Sequence, residues 1–175
     1  MGLSEEILIL QRRLAATAGG VITIATAESA TGGRIADRLT NVAGSSDYFV
    51  GGIVAYSNEA KQALLKVSEV TLARFGAVSP EVAREMAEGA CRAYGADVAV
   101  SDTGIAGPGG ASENKPVGLF YLGLATPDGC SAREYRFSGD RSSNKESAAQ
   151  AALTLLRDYL VQCCEARGAN ENGSL

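Results

Sequence analysis

The sequence predicts an α/β fold, a three-layer α/β/α sandwich whose sheet is mixed and mostly parallel. Short apolar and β-branched runs alternate with longer segments that have the apolar spacing of amphipathic helices, which is typical of strand-and-helix units. Two late strand-like runs are separated only by the Pro-Asp-Gly turn at 127–129, so we expect this pair to be antiparallel. With 175 residues and 46% hydrophobic content, the chain is long enough for one domain, expected over residues 1–167 with a frayed tail at 168–175.

In the first half of the chain, two predicted strands are each followed by a predicted helix. The opening helix ends before Gly19-Gly20, because glycine readily takes the left-handed conformation that closes helices. The run VITIATA that follows is short and β-branched, which predicts a buried strand. The expected elements are a helix at 3–17, a strand at 21–27, a helix at 32–42, a strand at 48–57 and a helix at 58–67.

The second half contains the clearest helix signal, in which Ser79 supplies a cap and Pro80 occupies the first helical position. Residues 105–116 are too rich in Gly and Pro for anything but a loop. The run at 130–138 alternates like a half-exposed antiparallel strand. The expected elements are helices at 68–76 and 79–95, strands at 96–104, 117–126 and 130–138, and a long amphipathic helix at 140–166.

The composition limits the chemistry that the chain can perform. It has no histidine, which excludes a Ser-His-Asp triad and any zinc site that contains histidine. A net charge of −4 argues against a general nucleic-acid binder. The N-terminus lacks the features of a signal peptide and nothing reads as a membrane span, so we expect a cytoplasmic protein. Free thiols in a reducing compartment are expected at Cys91, Cys130, Cys163 and Cys164, which show no CxxC spacing.

Three polar segments follow predicted strands and are expected to meet at one edge of the sheet, where ligands bind in open α/β folds. These segments are residues 28–33, 56–61 and 103–116. In a chain without histidine, Ser29 in the first segment could be activated by Lys61 in the second, if burial keeps that lysine neutral. Tyr56 lies at the end of the second strand and could donate to these two side chains or relay a proton between them.

Ordinary structural roles also account for the same residues and are the commoner case, and the spacing of the residues alone does not decide between the two interpretations. A serine before a helix is usually a cap, a helix lysine is usually solvated, and a tyrosine at a strand end often packs on the core. The backbone N–H groups of Thr31, Gly32 and Gly33, at the start of a helix, could bind an oxyanion or a phosphate. The Gly-rich segment 104–118 lacks the spacing of known phosphate-binding loops and is equally explained as a surface loop.

Five segments together resemble the successive signature blocks of the CinA C-terminal domain, the nicotinamide-nucleotide amidase family. The blocks are AESATGG, AGSSDYFVGGIVAYSNEAK, GAVSPEVAREMAEG, TGIAGPGGASENKPVG and FSGDR, and the resemblance covers residues 8–160. It implies hydrolysis of the carboxamide of nicotinamide mononucleotide to nicotinate mononucleotide and ammonia, in bacterial pyridine nucleotide recycling. It also implies that Ser29 is the nucleophile, Lys61 its base and Tyr56 the third member of the site. The implied mechanism is acyl transfer, for which we expect neither a metal nor an organic cofactor.

The resemblance also implies a site for the 5′-phosphate of a nucleotide substrate. The candidate donors are Ser45, Ser46, Thr103, Gly104, Gly107, Arg141 and Lys145. Two positions depart from the family pattern. Ala30 stands where the family commonly has Cys, and Lys145 stands where it usually has Arg, which keeps the charge but loses the bidentate fork. The larger upstream domain of many relatives is absent, so we expect a stand-alone form, and we expect it to form a homo-oligomer.

Two other functions are compatible with the sequence. The chain could be a non-catalytic nucleotide-binding module that keeps the fold, or a structural or regulatory subunit that acts through an apolar surface. Release of ammonia from nicotinamide mononucleotide separates the amidase from both alternatives. Thermal stabilisation by the nucleotide without turnover would select the binding module.

Overall fold

The computed structural model describes residues 2–172, and each predicted helix and strand is present in the predicted order. The fold is the expected α/β sandwich. Its elements are α1 (Leu3–Ala15), β1 (Ile24–Glu28), α2 (Arg34–Thr40), a 3-10 turn (Ser45–Asp47), β2 (Phe49–Val54), α3 (Asn58–Leu65), α4 (Glu69–Phe75), α5 (Pro80–Tyr94), β3 (Val98–Gly104), β4 (Leu119–Thr126), β5 (Gly129–Arg136) and α6 (Arg141–Asn172).

The sheet has five strands in the order β2-β1-β3-β4-β5. Strand β1 pairs in parallel with both β2 and β3, whereas β4 runs antiparallel to β3 and to β5. All residues of β1 are buried, as expected for a central strand that is covered on both faces. The carboxyl ends of β1, β2 and β3 therefore share one edge of the sheet.

Two apolar clusters cover the two faces of the sheet and make the three layers. Alternate side chains of β1 enter different clusters, with Ile24 facing α1, α2 and α6 and its neighbour Ala25 facing α3, α4 and α5. In β3, Val98 and Val100 lie on the first face and Ala99 lies on the second. By the same alternation, the side chains of the polar residues that end β1 and β3 are divided between the two faces.

The last helix is longer than the sequence predicts. The pattern indicates a helix that ends at residue 166 and a frayed tail from residue 168, but α6 continues to Asn172. Its distal part is tied to the turn after α1, where the Arg167 guanidinium donates to Gly20 O at 2.6 Å and to Thr17 Oγ1 at 3.1 Å. The remaining part of the predicted tail, 173–175, lies outside the described residues. Within residues 2–172, no helix combines the length and the apolar character needed to cross a membrane.

Candidate active site

The three polar segments meet at the carboxyl edge of the parallel strands. Glu28 at the end of β1 pairs with Val54 at the end of β2, which brings Ser29 beside residues 55 and 56. A cavity of about 190 Å³ opens there. Six predicted site residues line this cavity, namely Ser29, Tyr56, Lys61, Thr103, Gly104 and Arg141. The other lining residues, which were not predicted as site residues, are Ala30, Asn58, Ala77, Val78 and Ala106.

Ser29 and Lys61 are in direct contact inside this cavity. Lys61 Nζ lies 2.9 Å from Ser29 Oγ, 2.9 Å from Ala55 O and 3.4 Å from Tyr56 O. Only 1% of Lys61 and 8% of Ser29 is exposed, so Lys61 is not a solvated helix lysine. Burial lowers the pKa of Lys61, while the negative charge of Asp102 acts in the opposite direction.

The start of α3 directs Lys61 toward Ser29. Ser57 caps this helix by accepting a hydrogen bond from the Ala60 N–H at 3.1 Å, which holds the first turn in place. Lys61 and Leu65 are the buried residues of α3 and are separated by one helical turn. The lysine therefore extends from the inner face of the helix to the edge of the sheet.

Glu28, rather than Ser29, caps α2. The N-cap residue Gly33 has a φ of 98° and offers no side-chain acceptor. The buried Glu28 carboxylate instead accepts hydrogen bonds from the backbone N–H groups of Gly33, Ile35 and Ala36, at 2.8, 3.0 and 2.8 Å. Ser29 therefore does not cap α2, because its neighbour Glu28 does so. The Ser29 hydroxyl remains available to Lys61.

Asp102, near the end of β3, holds the chain on both sides of Ala30. It is fully buried, and its carboxylate accepts the Ser29 N–H at 3.0 Å and the Thr31 N–H at 3.1 Å. The Thr31 hydroxyl also contacts this carboxylate. Burial raises the pKa of Asp102 to about 6, although the hydrogen bonds from Thr31 and Ser29 lower it. Sequence reasoning missed Asp102, and the available signal was an acidic residue at the end of an apolar strand.

The predicted anion site at residues 31–33 needs a correction. Two of its three backbone N–H groups are already bound, because Asp102 accepts from Thr31 and Glu28 accepts from Gly33. Among the described residues, the N–H groups of Gly32 and Ala30 have no acceptor. Ala30 lines the cavity beside Ser29, so it is the better placed of these two donors for a group bound there.

Tyr56 also differs from the prediction. Its phenol oxygen accepts a hydrogen bond from Arg141 Nη2 at 2.8 Å, and only its backbone carbonyl approaches Lys61. Tyr56 is 58% exposed, so it does not pack in the core, and its hydroxyl is bound to Arg141 rather than to Ser29 or Lys61. Arg141 also donates to Gly107 O at 2.7 Å and so bridges two sides of the cavity mouth.

The candidate phosphate donors are divided between the two ends of the sheet. Arg141 lies at the cavity, and Lys145 lies beside Gly32, where a Cβ would be only 3.2 Å from its Nζ. Ser45 and Ser46 lie in the 3-10 turn before β2, at its opposite end. Since each strand residue adds about 3.3 Å, these two serines are roughly 20 Å from the cavity and are not brought to it.

Other parts of the described chain add no further site of the predicted kind. A larger cavity of about 430 Å³ lies between the β4–β5 hairpin and α6, and none of the predicted site residues lines it. Within residues 2–172, no group of three His, Cys, Asp or Glu side chains is arranged to hold a metal ion. The Ser29–Lys61 pair is therefore the centre of the candidate site.

The fold and this site define an α/β protein with a buried serine–lysine pair in a cavity at the carboxyl edge of its parallel strands. The chain belongs to the CinA C-terminal domain family, whose model matches residues 10–160. This match confirms the family indicated by the five sequence blocks.

Curated relatives and solved structures agree with this assignment. CinA-like proteins from Geobacter sulfurreducens and Chloroherpeton thalassium are each 54% identical to this chain, over 140 and 143 residues. The alignments cover 80% and 79% of this chain but 34% of each relative, so the chain spans about a third of the length of the curated relatives it matches.

Among solved structures, the competence/damage inducible protein CihA from Agrobacterium tumefaciens has a TM-score of 0.78 at 42% identity, and the match covers 86% of this chain and 93% of that one. A CinA superfamily protein from Klebsiella pneumoniae has a TM-score of 0.83 at 31% identity, covering 93% of this chain and 99% of that one. The names of these proteins state no substrate.

Proposed function

We propose that this chain is an amidase that hydrolyses the carboxamide of nicotinamide mononucleotide to nicotinate mononucleotide and ammonia. Family membership supports the reaction class, and one observation carries the proposal. The amine of Lys61, which is 1% exposed, lies 2.9 Å from the Ser29 hydroxyl oxygen. A buried amine in this position is the activating base that a serine nucleophile needs in a chain without histidine.

A neutral Lys61 amine can make each of the three contacts of its Nζ. A neutral amine has two N–H bonds and one lone pair, and the backbone carbonyls of Ala55 and Tyr56 can accept the two N–H bonds. The lone pair is then left for the Ser29 hydroxyl proton. Burial lowers the pKa of Lys61, which favours this state over the ammonium.

The reaction proceeds in two halves. Lys61 takes the proton of Ser29 while the serine oxygen attacks the carboxamide carbon, and the resulting oxyanion is held by the Ala30 N–H. The carbon–nitrogen bond breaks, the Lys61 ammonium gives its proton to the leaving nitrogen, and ammonia departs from an ester on Ser29. Lys61 then deprotonates a water molecule, whose attack on the ester releases the carboxylate product and returns the proton to Ser29.

The size and charge of the cavity suit one end of a nucleotide. Its volume of about 190 Å³ is below the roughly 300 Å³ at which pockets enclose drug-sized ligands, so it accommodates a ring with its carboxamide. The ribose and phosphate would extend past the mouth, where Arg141 and Lys145 supply positive charge. Thr103 is already committed, because its hydroxyl donates to Ala77 O at 2.7 Å.

The decisive experiment measures ammonia release from nicotinamide mononucleotide. Ser29→Ala and Lys61→Ala should each lower kcat by orders of magnitude, and the double variant should be little worse than either, because the two side chains act as one unit. Ser46→Ala is the matched control, since Ser46 is exposed at the opposite end of β2. Near-full activity of Ser29→Ala would refute the nucleophile assignment, and stabilisation by the nucleotide without turnover would favour a binding module.

A further inference from the structure

We propose that Asp102 is a positioning residue of this site, whose carboxylate holds the backbone on both sides of Ala30 and thereby places the Ser29 hydroxyl and the Ala30 N–H together at the cavity. This inference rests on the proposed serine–lysine chemistry. Asp102 is absent from the cavity lining and has no contact with Lys61 Nζ, so it acts through the chain that it holds.

The geometry of the turn after β1 is set by Asp102. The carboxylate of Asp102 accepts the N–H groups of Ser29 and Thr31, which are two residues apart, and leaves the intervening Ala30 N–H without an acceptor. A rigid group that binds alternate N–H groups fixes the orientation of the peptide between them. The nucleophile and the donor next to it are therefore set by one buried side chain.

The turn after β1 is also linked to α2. The Thr31 hydroxyl contacts the Asp102 carboxylate and also lies 2.7 Å from Glu28 Oε2. Glu28 in turn caps α2 through three backbone N–H groups. The turn is thus held at one end by β3 and at the other by α2, which makes it more rigid than a free loop.

Asp102 also acts on Lys61 through its charge. The charge of Glu28 on β1 raises the pKa of Asp102, and the charge of Asp102 in turn raises the pKa of Lys61 on α3. From the other neighbours, β4 places the apolar Leu122 opposite Asp102, and α6 contributes Lys145 beside Gly32. Loss of the Asp102 charge should therefore move the pKa of Lys61 further down, a change that a purely structural residue would not produce.

The test is an NMR titration that does not depend on turnover. The chain has four lysines, so the ¹³Cε signals of a lysine-labelled sample are few, and the Lys61 signal is the one that disappears in Lys61→Met. In Asp102→Asn the apparent pKa of Lys61 should be lower than in the unaltered protein. An unchanged or higher pKa of Lys61 in this variant would refute the electrostatic effect of Asp102.

A second measurement keeps the proposal testable if Asp102→Asn does not fold. In the unaltered protein, the amide proton shifts of Ser29 and Thr31 should follow a titration near the Asp102 pKa of about 6. Glu28→Gln should keep this titration but move it to lower pH, because the Glu28 charge raises the pKa of Asp102. Amide shifts at Ser29 and Thr31 that do not titrate would overturn the positioning role.

Kinetics complete the test and separate it from the proposed function. Asp102→Asn should lower kcat for ammonia release by roughly 10- to 100-fold with a small change in KM, because a misplaced nucleophile slows chemistry more than binding. An unchanged kcat in a folded Asp102→Asn protein would contradict the proposal. If the unaltered protein releases no ammonia, the amidase proposal fails, while the two titrations still decide the role of Asp102.

Discussion

Replacing Lys61 by Met should change how the stability of the protein depends on pH. Burial lowers the pKa of Lys61 in the folded state, whereas the unfolded chain keeps the usual value of about 10.5. Between these two pKa values the unfolded state binds more protons than the folded state, by at most one, so the free energy of unfolding rises with pH. For one proton the slope approaches about 1.4 kcal/mol per pH unit. The Lys61→Met variant has no titrating side chain at this position, so its free energy of unfolding should not show this rise with pH.

The assay is urea unfolding followed by circular dichroism at a series of pH values from neutral to alkaline. The difference in unfolding free energy between the unaltered protein and Lys61→Met isolates the contribution of this side chain from that of tyrosines and cysteines. Lys66→Met removes an exposed lysine at the end of the same helix and controls for the loss of one positive charge. Parallel curves for the unaltered protein and Lys61→Met across the whole range would refute the reasoning that Lys61 is desolvated.

Four further outcomes are expected. Lys61→Arg should abolish ammonia release, because arginine stays protonated, and retained activity would mean that this position supplies only charge. Tyr56→Phe should raise KM more than it lowers kcat, since its hydroxyl contacts Arg141; a kcat loss as large as that of Ser29→Ala would contradict this. Glu28→Gln should lower stability by about 1–3 kcal/mol in thermal melts, and an unchanged Tm would show that the α2 cap is dispensable. Reducing agent should leave Tm nearly unchanged, whereas loss of a disulfide would cost about 2–4 kcal/mol.

The sequence was sufficient to predict the elements and the pairing of Ser29 with Lys61 as a hypothesis. Periodicity and turn residues located the strands, and parallel strands place their carboxyl ends at one edge whatever their side chains are. Ser29 and Lys61 each follow such an end within a few residues, so the geometry brings them close without detailed knowledge of packing. Whether they touch depended on the burial of Lys61, which no local pattern encodes.

The roles of Glu28, Asp102 and Tyr56 could not be predicted in the same way. Caps are usually supplied by the residue that begins the helix, yet Glu28 reaches α2 from five residues before Gly33. Asp102 acts on a turn about seventy residues earlier in the chain, a contact that exists only once β1 and β3 pair. The Tyr56 hydroxyl contacts Arg141 of α6. The spacing of the residues around Tyr56 carries no information about where α6 lies.

The arrangement of charge explains how a lysine can act as a base beside a buried carboxylate. A direct ion pair with Asp102 would stabilise the ammonium form of Lys61 and remove its basicity. In the described part of the chain Lys61 makes no ion pair, because its Nζ contacts two backbone carbonyls and Ser29. The Asp102 charge is instead met by N–H and O–H dipoles from Ser29 and Thr31. The carboxylate is thus solvated by the turn that it orders and does not contact the Lys61 amine, which is the arrangement that the proposed mechanism requires.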